Sequence, residues 1–270
     1  ASGFRKGALD ATGGVEVGGV GGVVGGIIIC ALRTNPPEHG VAMAELAHKF
    51  LGEKGGVIGW DLAADEGAHP LSKHLSGLRR AIELGVPTTV HAGEWGSGVK
   101  SESNPFLFTQ PGHHDSVPNL ALASEEGCDR VGHALTLFQN PQLMERIAAQ
   151  GTVVECCVTS NVKRINGDYS IHPIRDMLAA GVAVTLNTDN RFLGRTTSTE
   201  EVVHAVRDCG MSWDNVGTML MTAAKASFYW RVMATPEDDK AAWLADFEAQ
   251  ANSALAELSR LPLNCSNSLL

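Results

Sequence analysis

The sequence predicts one parallel α/β domain wound as a (β/α) barrel, and three observations lead to this prediction. Short apolar runs alternate with segments of helical periodicity along most of the 270 residues, a pattern typical of parallel strands joined by crossover helices. Polar residues end nearly every run, as in a barrel whose site is built from many strand ends. No break in composition divides the chain, so residues 1–270 are expected to form a single domain.

The alternation predicts six strands, near residues 26–32, 56–62, 86–91, 129–133, 152–157 and 182–189. Helices are predicted at residues 41–51, 70–84, 117–126, 141–150, 173–180, 199–207, 213–228 and 236–258. Gly85, Gly151 and Gly181 each follow a predicted helix, where glycine commonly ends one. An eight-stranded barrel would need two further strands, for which the sequence has no obvious candidates.

The segments outside these elements are predicted to be irregular. Residues 1–25 form a flexible Gly-rich entry, which lacks both the GxGxxG spacing and the lysine of a phosphate-binding loop. Residues 96–117 are predicted to be a polar loop with His113 and His114 at a solvated tip. Residues 235–270 are predicted to contain a C-terminal helix and a loose tail.

Composition excludes several classes of function. The formal net charge of −9 argues against nucleic acid as a partner, because phosphate binding needs clustered Lys and Arg. No apolar run is long enough to span a membrane, so no membrane partner is expected. The six cysteines show no CxxC spacing and are predicted to be reduced core residues, which favours a cytoplasmic protein.

The residues at the predicted strand ends suit hydrolytic chemistry. His91 ends one strand, with Glu94 just beyond it, while Asp61, His133 and Asp189 end three others. Each has a structural alternative. The histidines could be hydrogen-bonded core residues, Asp61 could cap the rim, and Asp189 could form a turn.

Taken together, the strand ends favour a metal site. Imidazole nitrogen and carboxylate oxygen are zinc ligands, and zinc lowers the pKa of bound water towards neutrality. A nearby carboxylate such as Glu94 can move protons. The set therefore predicts metal-assisted hydrolysis.

Several segments resemble the adenosine deaminase family, in that family's order. They are Asp61–Glu66, His91-Ala92-Gly93-Glu94, Arg130-Val131-Gly132-His133-Ala134, Glu155–Val162 and Leu186-Asn187-Thr188-Asp189-Asn190. The resemblance covers roughly residues 26–230. It implies a zinc-dependent (β/α)8 barrel of the metal-dependent hydrolase kind. The implied reaction converts adenosine, and usually 2′-deoxyadenosine, to inosine and ammonia through attack of zinc-activated hydroxide at purine C6, in purine salvage or catabolism.

The resemblance also implies a role for each matching residue. His91 and Asp189 would be zinc ligands. Glu94 would protonate purine N1, and His133 would orient the attacking water and help to deprotonate it. Asn190 would contact purine N7, and the backbone at Ala64 would face N3. The expected partner is a small purine nucleoside.

The sequence departs from the family pattern where the other ligands are expected. The family opens with a His-x-His pair that supplies two further zinc ligands, and no His-x-His occurs here. We therefore expect one zinc per chain, with two ligands from a missing N-terminal segment, and a truncated barrel of about six of the eight strands. Asn190 stands where the family often has Asp, and Ala64 where Gly is common.

Three alternatives follow from these departures. Adenine deaminase stays open, because the ribose contacts come largely from the missing segment. A catalytically inactive, truncated nucleoside-binding protein also stays open, because two protein ligands are too few for zinc. AMP deaminase is not favoured, since the excess of acidic over basic residues gives no support for a phosphate-binding pocket.

Overall fold

The computed structural model describes residues 25–52, 56–94, 116–165, 167–234 and 239–260 of the chain. Three predictions made above lie wholly or mostly outside the described residues. They are the Gly-rich entry, the loop that carries His113 and His114, and the tail after residue 260.

Six strands form one parallel sheet: β1 (Ile27–Leu32), β2 (Val57–Ala63), β3 (Thr88–Ala92), β4 (Arg130–His133), β5 (Val153–Cys156) and β6 (Val184–Leu186). Each strand pairs with the next one along the chain, in the order β1-β2-β3-β4-β5-β6. Right-handed crossovers between successive parallel strands keep their helices on one face. This sequential order is therefore the winding of a barrel, whereas a doubly wound sheet reverses its order at a switch point.

The α-helices connect and follow the strands. They are α1 (Pro37–Lys49), α2 (Leu75–Glu83), α3 (Val117–Glu125), α4 (Pro141–Gln150), α5 (Val158–Val162), α6 (Ile174–Ala179), α7 (Arg191–Gly194), α8 (Ser198–Arg207), α9 (Trp213–Ala226), α10 (Tyr229–Val232) and α11 (Lys240–Leu258). Short 3₁₀ turns lie at Leu71–Lys73, Leu137–Gln139 and Tyr169–Ile171.

The core lies between the sheet and these helices. Trp60 in β2, Val90 in β3 and Val131 in β4 are fully buried, as expected for parallel strands covered on both faces. Helices α1 and α2 cross at Gly40 and Gly77, where a Cβ on Gly77 would lie 2.8 Å from the Gly40 carbonyl carbon. The close packing of this helix pair therefore requires the small residue at Gly77.

The six predicted strands are confirmed, with two local differences in the elements around them. The last strand ends at Leu186, before Asp189, so Asp189 lies in a turn and not in a strand. The helix predicted from residue 70 begins with a 3₁₀ turn and becomes α-helical only at Leu75. Both differences occur where polar or turn-forming residues interrupt the apolar periodicity.

Two further findings concern membrane and cysteine chemistry. No helix within the described ranges combines the length and apolarity needed to cross a membrane.

The five cysteines in these ranges are free thiols, and four of them are buried. Cys30 is exposed, because it lies on the face of β1 opposite the buried Ala31, so its prediction as a core residue is wrong.

Ala64 follows β2 with a φ of 81°, in the left-handed region that side chains with a Cβ disfavour. Ala64→Gly relieves this strain, and the greater freedom of glycine in the unfolded chain offsets part of the gain. We expect the free energy of unfolding to rise by up to about 1 kcal/mol in urea denaturation. The matched change Ala149→Gly, at an exposed position in α4, should lower it by about 1 kcal/mol. Equal losses in both variants would contradict the strain at Ala64.

Candidate active site

The sequence-predicted residues gather at the carboxyl end of the sheet. His91 lies in β3, and Glu94 is two residues beyond the end of that strand. His133 is the last residue of β4, and its ring centroid lies 5.0 Å from that of His91. The pairing of β3 with β4 sets Ala92 opposite His133, so the register itself brings these groups together.

His91 is oriented by a carboxylate from the neighbouring strand. Its Nδ1 lies 3.3 Å from Oδ1 of Asp61, which is in β2. Burial lowers the pKa of His91, but three carboxylates outweigh burial and raise the pKa to about 9; they are Asp61, Glu94 and Asp189. With Nδ1 directed at Asp61, Nε2 is the ring nitrogen left to face a ligand.

Glu94 is held from two sides. Arg164 donates from Nε and Nη2 to Glu94 Oε1, at 3.1 and 3.0 Å. The other carboxylate oxygen, Oε2, lies 4.0 Å from His133 Nε2. Only 14% of the Glu94 side chain is exposed. Its carboxylate is therefore held between Arg164 and His133.

Two buried residues that the sequence analysis did not single out lie behind His133. Its Nδ1 lies 2.9 Å from Asn161 Oδ1, and Asn161 Nδ2 lies 3.2 Å from His172 Nε2. Asn161 is in α5, a short helix absent from the sequence prediction. Asn161 lies beside His133 because of a tertiary contact, and local sequence patterns do not predict such contacts.

Asp189 and Asn190 lie in the turn between β6 and α7. Asp189 has a φ of 53° and accepts a hydrogen bond of 2.7 Å from Ser160 Oγ. Asn190 Oδ1 accepts from the Leu193 N–H at 2.9 Å and so caps α7. Asp189 therefore lies in a turn, as its structural alternative predicts. It also lies close enough to His91 to help raise the pKa of that imidazole.

A buried pair of opposite charges holds the turn that carries Glu94. Glu66 accepts hydrogen bonds from the backbone N–H groups of Gly93 and Glu94, and from Asn119 Nδ2. Arg33 donates to the carbonyl of His91. Burial holds the pKa of Glu66 above its ordinary value, although the charge of Arg33 and the three N–H donors act in the opposite direction. We refer to Arg33 and Glu66 as the buried clamp.

Gly93 is required at the centre of this turn. Its φ is +79°, and a Cβ there would lie 2.5 Å from Leu120 Cδ1 in α3. A side chain at this position would therefore strain the backbone and force the Leu120 side chain to move.

The residues present fit a zinc ion in their chemistry but not in their number. His91 offers an imidazole whose other nitrogen faces a carboxylate, which is usual for a metal ligand, and Asp189 offers oxygen. Within the described residues, no group of three or more His, Cys, Asp or Glu side chains could hold a metal. His91 and Asp189 can therefore supply part of a zinc site.

Solved structures with the same fold define the class of this barrel. An amidohydrolase from Burkholderia ambifaria with bound Zn superposes with a TM-score of 0.70 at 22% identity, covering 95% of this chain and 64% of that one. The adenine deaminase of Arthrobacter aurescens gives 0.65 at 19% identity, covering 90% and 64%. The fold is therefore that of the amidohydrolase (β/α) barrels, with six strands in the part of the chain that the structure describes.

The sequence places the chain within one family of that class. The adenosine deaminase family profile matches residues 8–103 and 116–244, and the chain belongs to this family. The adenosine deaminase of Vibrio vulnificus (strain CMCP6) is 33% identical over 180 residues, 66% of this chain and 48% of the relative. That of Clostridium kluyveri is 26% identical over 209 residues, 76% and 54%. The chain spans about half the length of the curated relatives it matches.

Removing the charge of Glu66 should destabilise the fold strongly. Glu66→Gln removes the carboxylate that acts most strongly on the buried Arg33 guanidinium and places an amide against the Gly93 and Glu94 N–H groups. We expect the free energy of unfolding to fall by about 3–5 kcal/mol in urea denaturation.

The control for this change is Glu125→Gln on the exposed face of α3, which should alter stability by no more than about 0.5 kcal/mol. The double variant Arg33→Met, Glu66→Gln should lose less than the sum of the single losses, because each single change leaves one charge unpaired. Additive losses would show that the two groups are not coupled.

His172 should make stability depend on pH. Burial lowers its pKa from 6.5 to about 4, so between these values the unfolded chain binds a proton that the folded chain does not. Stability is therefore fully present above pH 6.5 and falls by about 3 kcal/mol as the pH drops to 4. Urea denaturation from pH 7 to 4 should show a shallower decline for His172→Gln. Equal slopes for variant and wild type would refute this assignment.

Proposed function

We propose that the protein is a metal-dependent deaminase that hydrolyses the 6-amino group of adenosine and 2′-deoxyadenosine, giving the corresponding inosine and ammonia. The observation that carries the proposal is the convergence of His91, Glu94 and His133 at one end of the sheet, with Asp189 close enough to act on His91. Family membership supports hydrolysis at a C–N bond.

The metal in this proposal is zinc, held in part by His91 and Asp189. When bound, zinc lowers the pKa of a water molecule towards 7 and makes a nucleophile available near neutral pH. His91 must give up a proton to become a ligand, since its pKa is about 9 beside three carboxylates. A structural or catalytic zinc site has at least three protein ligands, so we propose that further ligands come from outside the described residues.

Glu94 is the proposed proton donor to purine N1. Deamination needs a proton on the ring as C6 changes from trigonal to tetrahedral, and a carboxyl group fixed in direction can deliver it. Arg164 fixes one oxygen of Glu94, which leaves the other directed towards His133 and the space in front of it. We propose that His133, whose Nε2 lies 4.0 Å from Glu94 Oε2, contacts the attacking water.

Two further residues are proposed to contact the purine. Asn190 would donate its amide N–H to N7, while its Oδ1 caps α7. The backbone at Ala64 would face N3, and its left-handed conformation turns the chain at the rim of the site. The side-chain amide of an asparagine always carries N–H donors, whereas an aspartate must be protonated before it can donate.

A second candidate is a chain that binds purine nucleosides without turning them over. Two observations favour it: the described residues lack a complete ligand set, and Arg164 already occupies one oxygen of Glu94. Adenine remains an alternative substrate, because nothing among the described contacts selects a ribose.

The first experiment measures ammonia release from adenosine, 2′-deoxyadenosine and adenine by the purified 270-residue chain, with and without added zinc. Zinc-dependent release from the two nucleosides is expected where the 270 residues themselves supply the further ligands, and no release is expected where those ligands lie outside this sequence. Glu94→Gln should lower kcat by about 10²–10⁴-fold, because it removes the proton donor. The matched change Glu145→Gln, at an exposed position in α4, should leave turnover unchanged.

The other outcomes separate the alternatives. Faster release from adenine would identify an adenine deaminase. Nucleoside binding in calorimetry without ammonia release would favour the second candidate. Turnover that survives Glu94→Gln would overturn the role proposed for Glu94.

A further inference from the structure

A buried row of three side chains runs from His133 away from the candidate active site. His133, Asn161 and His172 are each no more than 3% exposed. At the far end of the row, the backbone N–H of Ile174 donates to His172 Nδ1 at 3.2 Å. Because water has little access to this row, the hydrogen bonds within it must satisfy one another.

The contact with Ile174 fixes the proton on His172. A backbone N–H can only donate, so Nδ1 of His172 must accept. Burial keeps this ring neutral by lowering its pKa to about 4, and a neutral imidazole has one accepting and one donating nitrogen. His172 Nε2 therefore carries the proton and needs an acceptor.

The acceptor available to that proton is the side-chain amide of Asn161. The structure sets Asn161 Nδ2 3.2 Å from His172 Nε2 and Oδ1 2.9 Å from His133 Nδ1. In this orientation two donors face each other at His172. Exchanging the amide oxygen and nitrogen, which have nearly the same shape, removes that conflict. Cys156 Sγ, at 3.9 Å from the same Nε2, is a much weaker acceptor.

The orientation of the Asn161 amide determines which nitrogen of His133 carries the proton. With its oxygen towards His172, Asn161 directs an N–H at His133 Nδ1, which must then accept. We propose that His172 is a positioning residue which, through Asn161, fixes His133 as the tautomer with its proton on Nε2. His133 then presents an N–H donor to Glu94 and to the space where water is activated.

This assignment changes the part that His133 plays in the proposed reaction. A neutral His133 with Nε2 protonated orients the water and stabilises developing negative charge on oxygen, but it does not accept the water's proton. Its meaning for catalysis rests on the proposed function. The tautomer itself is a property of the folded chain and is measured without substrate or turnover.

The test is long-range ¹H–¹⁵N correlation spectroscopy on the full chain labelled with ¹⁵N-histidine, at pH 7.5 without added metal. This experiment distinguishes a ring nitrogen that carries hydrogen from one that does not. We expect Nδ1 of both His133 and His172 to be unprotonated and Nε2 of both to carry hydrogen. A His133 with hydrogen on Nδ1 overturns the proposal, whatever the ammonia assay shows.

Two variants separate a positioning role from a merely structural one. Asn161→Asp replaces the amide by a group that only accepts, so the His133 hydrogen should move to Nδ1 while His172 keeps its pattern. The matched control Asn140→Asp makes the same charge change at the N-cap of α4 and should leave both patterns unaltered. Should Asn161→Asp fail to fold, the wild-type spectrum still decides the tautomer.

His172→Phe tests the origin of the effect. It keeps a buried ring but removes the donor that holds the amide, so His133 should become a mixture of both tautomers. An unchanged His133 pattern in this variant would overturn the role assigned to His172.

Discussion

The candidate active site depends on a pair of charges buried beside the end of β3. Arg33 and Glu66 hold the turn that follows this strand by its backbone, one through a carbonyl and the other through two N–H groups. Because these bonds are made to the main chain, they position the backbone from which His91 and Glu94 project, while Asp61 and Arg164 orient the two side chains. Burying two charges costs free energy that the pair recovers only when both are present and well hydrogen-bonded. The buried clamp therefore positions the backbone of the site and is not a general source of stability.

The same end of the sheet concentrates carboxylates around one imidazole. Asp61, Glu94 and Asp189 together raise the pKa of His91 above neutrality, so a cation is favoured at this point even before a metal arrives. In the proposed function, a proton and the metal would therefore compete for His91. The carboxylates that stabilise the protonated histidine are also those that would offset the charge of a zinc ion.

The sequence allows the strands and the chemically active residues to be predicted, because apolar runs and the residues that end them are local features. His91, Glu94 and His133 fall into this group. Arg33, Asn161 and His172 do not, since their importance comes from contacts with residues far along the chain; Arg33 meets the His91 carbonyl across 58 residues. The short helix α5 is also beyond local reasoning, because tertiary packing overrides weak propensity in such a short segment.

The strictly sequential order of the sheet has a consequence for how the site comes into being. Each strand lies against the one made just before it, so the fold can grow by adding one strand and helix at a time during synthesis. His91 enters in the third strand, whereas Asp189 arrives only after the sixth. A metal that needs both residues cannot guide the early steps of folding. It could stabilise the chain only once the sixth strand has docked, so metal binding would follow the assembly of these six strands.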